Sequence, residues 1–238
     1  GYRVISLMQI VLTAILLFSL PLWKRPDEDG AGVNVTPEHR SLPQLLRIPG
    51  VPEVMISFAC YSAVEATAGM WAASYCTLMR GIDAQTAAGW ASLFYLGITV
   101  GRFFSGFLTM KFNDHQMIRG GQAVILVGLV LIFLPAGNTL LFAGLIIVGL
   151  GCAPIYPSII HETPANFGRN LSMSMTGVQM AAAYVGTTLL PPFFGLLAQH
   201  ISMGLFPWYL LTALILMTIS SEAMHRKTAA HRAANPGV

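Results

Sequence analysis

PEVMISFACYSAVEATAGMWAASYCTL, residues 52–78, decides how this chain is read. As a helix it is long enough to cross a hydrocarbon core about 30 Å thick, and Glu65 stands about halfway along it. No other acidic residue lies that deep in a hydrophobic stretch of the chain. An ionisable group at membrane depth costs several kcal/mol unless it faces a wet cavity or a partner, so Glu65 is a functional candidate from the outset. Tyr61 lies one turn before it and Gly69 one turn after, on the same helical face. The segment reads as a helix facing an internal cavity.

Composition carries this reading to the whole chain. Of the 238 residues 55% are hydrophobic and only 10% charged, with a mean hydropathy of +0.65. Soluble domains need about 25% charge to cover their surfaces, which leaves an integral membrane protein. Apolar runs recur along the whole length, and none ends in a small-residue cleavage site of the signal-peptide kind. The chain starts at Gly1, already entering an apolar run, and is read as a fragment or a truncated frame. Cys60, Cys76 and Cys152 all sit in apolar segments without ligand spacing and read as small buried hydrophobes.

Seven membrane spans are expected, over residues 4–22, 51–79, 85–110, 118–134, 139–160, 171–197 and 205–221. They are helices, because lipid satisfies no backbone hydrogen bonds and alternating ten-residue barrel strands are absent. The expected fold class is an all-α polytopic membrane protein. Lys24, Arg25, Arg40, Arg47, Lys111, Arg119, Arg169, Arg226, Lys227 and Arg232 fall on one side of these spans, against Arg3 and Arg80 on the other. That bias of ten to two makes the first side, and with it the C-terminus, cytoplasmic.

The expected organisation is one helix in residues 1–22, a Pro- and Gly-rich cytoplasmic linker in 23–50, a six-helix unit in 51–224 and a cytoplasmic tail in 225–238. A short interfacial helix is expected over residues 42–48 of the linker. Polar content has a period of three helices. The first, fourth and seventh spans are nearly uniformly apolar and read as lipid-facing. The second, third, fifth and sixth carry the polar side chains, glycines and prolines of helices that line a path.

With this period in hand, the chain resembles the C-terminal half of a major facilitator superfamily transporter, its seven spans matching the family's helices six to twelve. The pattern Tyr61-x-x-x-Glu65-x-x-x-Gly69-x-Trp71-x-x-x-Tyr75 resembles helix seven of the fucose permease-like branch, and Gly149-x-Gly151-x-Ala153-Pro154-Ile155-Tyr156-Pro157 resembles helix ten. The resemblance implies a two-lobed permease in which this chain supplies one lobe and an N-terminal lobe is its missing partner. The family's loop of form Gly-x-x-x-Asp-Arg-x-Gly-Arg-Arg corresponds to Gly106-Phe107-Leu108-Thr109-Met110-Lys111-Phe112-Asn113-Asp114-His115. Met110 replaces its Asp and Asn113 its second Gly, so the charge relay attributed to that loop is not expected in this half.

Glu65 is the coupling candidate, a carboxylate that takes up and releases a proton as a cavity closes and opens; a structural carboxyl bonded to a helix neighbour is the alternative. Recognition of a sugar needs aromatic faces and hydrogen-bonding groups. Tyr61, Trp71, Tyr75, Tyr95 and Tyr156 offer the faces. Ser172, Thr176, Gln179 and Thr187 share one face of the sixth span and offer the polar groups. Arg102 reads either as a gate residue that pairs with a carboxylate or as a snorkelling cation. Pro154 and Pro157, and Pro191 with Pro192, read as hinges in discontinuous helices, or as static kinks. Gly97-x-x-x-Gly101 permits close helix approach.

His161-Glu162 lacks the second His of a zinc-protease helix, and neither a metal site nor a cofactor is expected. With no Walker loop for ATP, the energy source is an ion gradient, by expectation protons. The sequence therefore points to secondary active transport of a small polar solute in the cell membrane, as a proton-linked sugar symporter. An exporter of drugs or metabolites and a non-transporting receptor or scaffold are the alternatives. An enzyme is not expected, for want of any nucleophile and base arrangement.

Overall fold

The computed structural model describes residues 2–20, 40–134 and 137–234, and the linker residues 23–39 lie outside them. Two compact units are distinguished, Gly1–Thr36 and Pro37–Val238. The first contains α1 (Tyr2–Ser19), a mostly apolar helix that also carries Arg3 and Gln9. Thr13 and Ser19 donate back to the carbonyls of Gln9 and Leu16, as hydroxyls do in apolar helices.

In the second unit α2 (Leu42–Leu45) precedes α3 (Val51–Arg80), α4 (Ala84–Leu108), α5 (Asp114–Phe133), α6 (Asn138–Cys152), α7 (Ile155–His161), α8 (Thr163–Phe167), α9 (Ser172–His200) and α10 (Phe206–Ala234), the last entered through a 3-10 turn at Met203–Leu205. The boundaries follow local chemistry. The α3 helix starts after Gly50 and ends at Gly81, both with positive φ (94° and 66°), where a side chain would be strained. Asp83 caps α4 by accepting from the Thr86 N–H at 3.0 Å. Asn113 and Gln116 form a reciprocal capping box at the start of α5, at 2.9 and 3.2 Å. Asn113, one of the substitutions in the family-like loop, is thus the residue that starts the next helix.

The expected count of seven spans is corrected: among the described residues five helices are long and apolar enough to cross a membrane. These are Ala84–Leu108, Asp114–Phe133, Asn138–His161, Ser172–His200 and Met203–Ala230. Apolar helix Arg3–Ser19 is too short. The α3 helix has the length but not the composition, since Glu53, Glu65, Arg80 and many small polar residues dilute it. The reason is its position. It packs against α4, α9 and α10, so its surroundings are largely protein, and Val51, Phe58, Tyr61, Val64, Ala68, Ala72 and Cys76 are buried. Five crossing helices make this a multi-pass all-α membrane protein.

The α6 helix is wedged between α4 and α5 by direct backbone contact. A Cβ on Gly97 would lie 2.3 Å from Ile146 O, one on Gly101 2.6 Å from Ala153 Cβ, and one on Gly149 2.1 Å from Phe94 O. Only glycine fits such crossings, so Gly97-x-x-x-Gly101 does mark a helix interface. The span at 138–161 breaks at Ala153–Pro154, between α6 and α7. Pro157 lies in the first turn of α7, where its missing N–H costs nothing, and the break belongs to Pro154 alone. In contrast, Pro191 and Pro192 lie inside α9 without ending it.

Candidate functional site

Helices α3, α4, α7 and α9 enclose a cavity of about 600 Å³. Tyr61, Ser62, Glu65, Ala66 and Met70 reach it from α3, at the three- and four-residue spacing of one helical face. Tyr95 comes from α4, Tyr156 from α7, and Met180, Ala183, Tyr184 and Thr187 from α9. Four tyrosines therefore surround one carboxylate. Tyr61 is fully buried in a group with Phe58 and Tyr156, with ring centroids 5.0 to 6.3 Å apart. Tyr95 and Tyr184, 53% and 70% exposed, form the outer rim. Gly69 makes room for Tyr95: a Cβ there would lie 2.2 Å from the phenol oxygen.

Glu65 faces Arg102 of α4, with Nη2 3.6 Å from Oε1 and the side chains 27% and 56% exposed. At that distance and exposure the pair is loose, held by charge rather than by a hydrogen bond. Such a pair can be made and broken at low cost as a cavity changes shape. Tyr156 donates its hydroxyl to Met180 Sδ at 3.2 Å, a weak acceptor. The Thr187 hydroxyl is bonded back to Ala183 O at 3.0 Å.

The structure brings Tyr61, Glu65, Tyr95, Tyr156 and Thr187 together and sets Trp71, Tyr75, Ser172, Thr176 and Gln179 apart from them. Gln179 is fully buried behind the wall, where Oε1 accepts from the Thr163 hydroxyl at 3.0 Å. Thr176 is half-buried and does not line the cavity. Trp71 packs on Gly195 and edge-on to Phe194, and its indole N–H donates to Pro191 O at 3.1 Å. Tyr209 of α10 donates to the neighbouring Leu190 O at 2.9 Å, so two aromatic donors brace α9 at its prolines. Tyr75 is stacked on Phe206 in the core. Ser62, Met70, Met180 and Tyr184 were not singled out from the sequence. Their signal was only the helical register relative to Glu65 and Thr187, which identifies a face but not what the face meets.

One end of the lobe is tied by a second set of charges. His161 Nδ1 lies 2.7 Å from Asp114 Oδ2, and His225 Nε2 2.9 Å from Glu162 Oε2. The His225 ring stacks on His115 at 3.8 Å, and His115 in turn meets Glu222, which also takes two hydrogen bonds of 2.5 Å from Arg119. Since His225 Nδ1 also faces Ser221 O at 2.7 Å, both of its ring nitrogens point at acceptors, and only the doubly protonated ring donates at both. Lys227 pairs with Glu53 nearby. Helices α5, α7 and α10 are thus joined through Asp114, Glu162 and Glu222.

A family model described as Major Facilitator Superfamily matches residues 54–224. The chain belongs to the Major Facilitator Superfamily. Among curated relatives, the Saccharomyces cerevisiae protein named Bypass of stop codon protein 6 is 24% identical over 174 residues, 69% of this chain and 35% of its own length. A Helicobacter pylori protein named for glucose/galactose transport is 29% identical over 126 residues, 52% of this chain and 30% of its own. This superfamily member therefore spans about a third of the length of those relatives. Its fold is similar to that of the Escherichia coli fucose:proton symporter, with a TM-score of 0.70 at 16% identity over 92% of this chain and 54% of that one. The fold is also similar to that of the POT family transporter PepTSo, with a TM-score of 0.61 at 14% identity over 77% of this chain and 38% of that one. Among the described residues no three His, Cys, Asp or Glu are placed to hold a metal ion.

Proposed function

We propose that this chain forms one lobe of a proton-linked symporter of the fucose permease-like kind for a sugar or similarly small polar solute, working by alternating access against a second, N-terminal lobe. The observation that carries the proposal is Glu65, loosely paired with Arg102, on the wall of a cavity bordered by four tyrosines. Tyrosine offers an apolar face to a sugar ring and a hydroxyl at its edge, the pairing that polyol recognition needs. A carboxylate loosely paired to an arginine neutralises when it takes up a proton and frees the arginine for the next state. The similarity to a fucose:proton symporter and to a protein named for glucose/galactose transport supports the solute class.

The second lobe is supported by the fraction of the solved transporter that the chain covers, 54%, and by the exposure of Met70, Tyr95 and Tyr184 at the cavity rim. In the cell membrane the basic end of the lobe, with the C-terminal helix end, lies in the cytoplasm. The test is solute counterflow in proteoliposomes with a panel of labelled hexoses and deoxyhexoses, first with this chain alone and then with it joined to its N-terminal lobe. Exchange by the two-lobed protein and none by the single lobe is expected. Absence of exchange for every solute under any gradient would leave a receptor or scaffold as the better reading.

A further inference from the structure

A second cavity, of about 690 Å³, lies away from the transport cavity, between α2 and the α8–α9 turn. Arg40, Arg47 and Arg169 all line it, together with Gln44, Asn166 and Thr228. It is a built groove rather than a chance cluster. Leu45, 3% exposed, anchors α2 in the core, and the Ser41–Gln44 capping box sets its start. At Gly50, just before α3, the chain presses on α10 so closely that a Cβ would lie 2.8 Å from Cγ2 of Thr228, which lines the groove.

Arg47 and Arg169 are exposed and form no ion pair with a carboxylate among the described residues. Asn166 keeps a buried amide Nδ2 without an acceptor among the described residues. The Arg47 and Arg169 guanidinium groups, lining one groove without a carboxylate partner among the described residues, are donors suited to a phosphate. The groove opens where α3 and α9 begin, at the border of the apolar span Ser172–His200. Beside the arginines Leu42 and Leu46, one turn apart and 54% and 39% exposed, present an apolar edge. A free phosphate has no use for that edge, but a lipid, with acyl chains below its headgroup, does.

We propose that this groove binds the phosphate headgroup of an anionic phospholipid, with Arg47 and Arg169 on the phosphate and Leu42 and Leu46 against the acyl chains. The site is independent of the transport reading. Native mass spectrometry of the purified full chain, titrated in detergent with dioleoylphosphatidylglycerol or dioleoylphosphatidylcholine, tests it. Phosphatidylglycerol is expected to be retained in preference to phosphatidylcholine. Arg47→Gln and Arg169→Gln are each expected to lower that retention about fivefold, and the double variant about twenty-five-fold. Lys111→Gln, at an exposed basic residue outside the groove, keeps it unchanged. Equal retention of the two lipids, or an equal loss in Lys111→Gln, overturns the site in favour of general surface charge. Displacement of the lipid by inorganic phosphate well beyond that by chloride at equal ionic strength overturns the lipid assignment and leaves a soluble anion as the ligand.

Discussion

Glu65→Gln is the substitution that bears hardest on the proposed mechanism. It keeps the shape of the side chain and removes both its charge and its titration, so Arg102, 3.6 Å away, loses its counter-ion. Folding is expected to change little, because a loose pair with partners 27% and 56% exposed contributes at most about 1 kcal/mol. In a lobe of this size that is a melting shift of at most about 4 °C. Transport is expected to change in kind. With one proton carried per solute, a pH difference of one unit sustains about a tenfold solute gradient, about 1.4 kcal/mol. The variant, paired with its second lobe in proteoliposomes, should still exchange labelled solute by counterflow but should accumulate none under an imposed pH gradient. If Glu65→Gln accumulates solute as the native protein does, Glu65 has no part in coupling and the mechanism fails.

Further expectations follow from the packing and the charges. Gly149→Ala places a methyl 2.1 Å from Phe94 O and should destabilise by about 1–3 kcal/mol as α4 and α6 are forced apart. Gly120→Ala on α5, with open space around its Cβ, should be neutral or stabilise by up to about 1 kcal/mol; detergent melting curves compare the two. Trp71→Phe removes the donor to Pro191 O and should cost about 1 kcal/mol, read from the same curves. Hydrogen bonds from the Thr86 side chain and backbone N–H hold the Asp83 carboxyl below its ordinary range. A carboxyl so lowered stabilises the fold above its unfolded value and loses that contribution as pH falls through the folded one. The melting temperature of Asp83→Asn should therefore depend less on pH below about pH 4 than that of the native chain.

Much of this fold was legible in the chain itself. Gly81 and Asp83, Asn113 and Gln116, and Pro154 mark helix ends by chemistry confined to a few neighbouring residues, and the observed boundaries lie within a few residues of the expected ones at most ends. The count of spans was not so legible. An apolarity rule assumes that a helix of membrane length faces lipid, whereas α3 is surrounded by α4, α9 and α10 and so carries polar residues that a lipid-facing helix would not keep. Gln179 could not be placed from spacing either: its Oε1 meets Thr163, 16 residues away, while its Nε2 is buried without a hydrogen-bond partner among the described residues. The cluster of His115, His161, Glu162, Glu222 and His225 left no trace in spacing, since Glu222 and His115 are 107 positions apart.

What the sequence determined by itself is what depends on a residue and its near neighbours: a membrane protein made of helices, and where most of those helices start and stop. Tertiary structure alone decided what Glu65 meets. Arg102 is on another helix, and whether the two face each other depends on how closely α4 packs on α6 through Gly97 and Gly149, and hence on where α4 stands beside α3. Side-chain chemistry is carried residue by residue, whereas the distance between two helices is a property of all the surfaces packed between them.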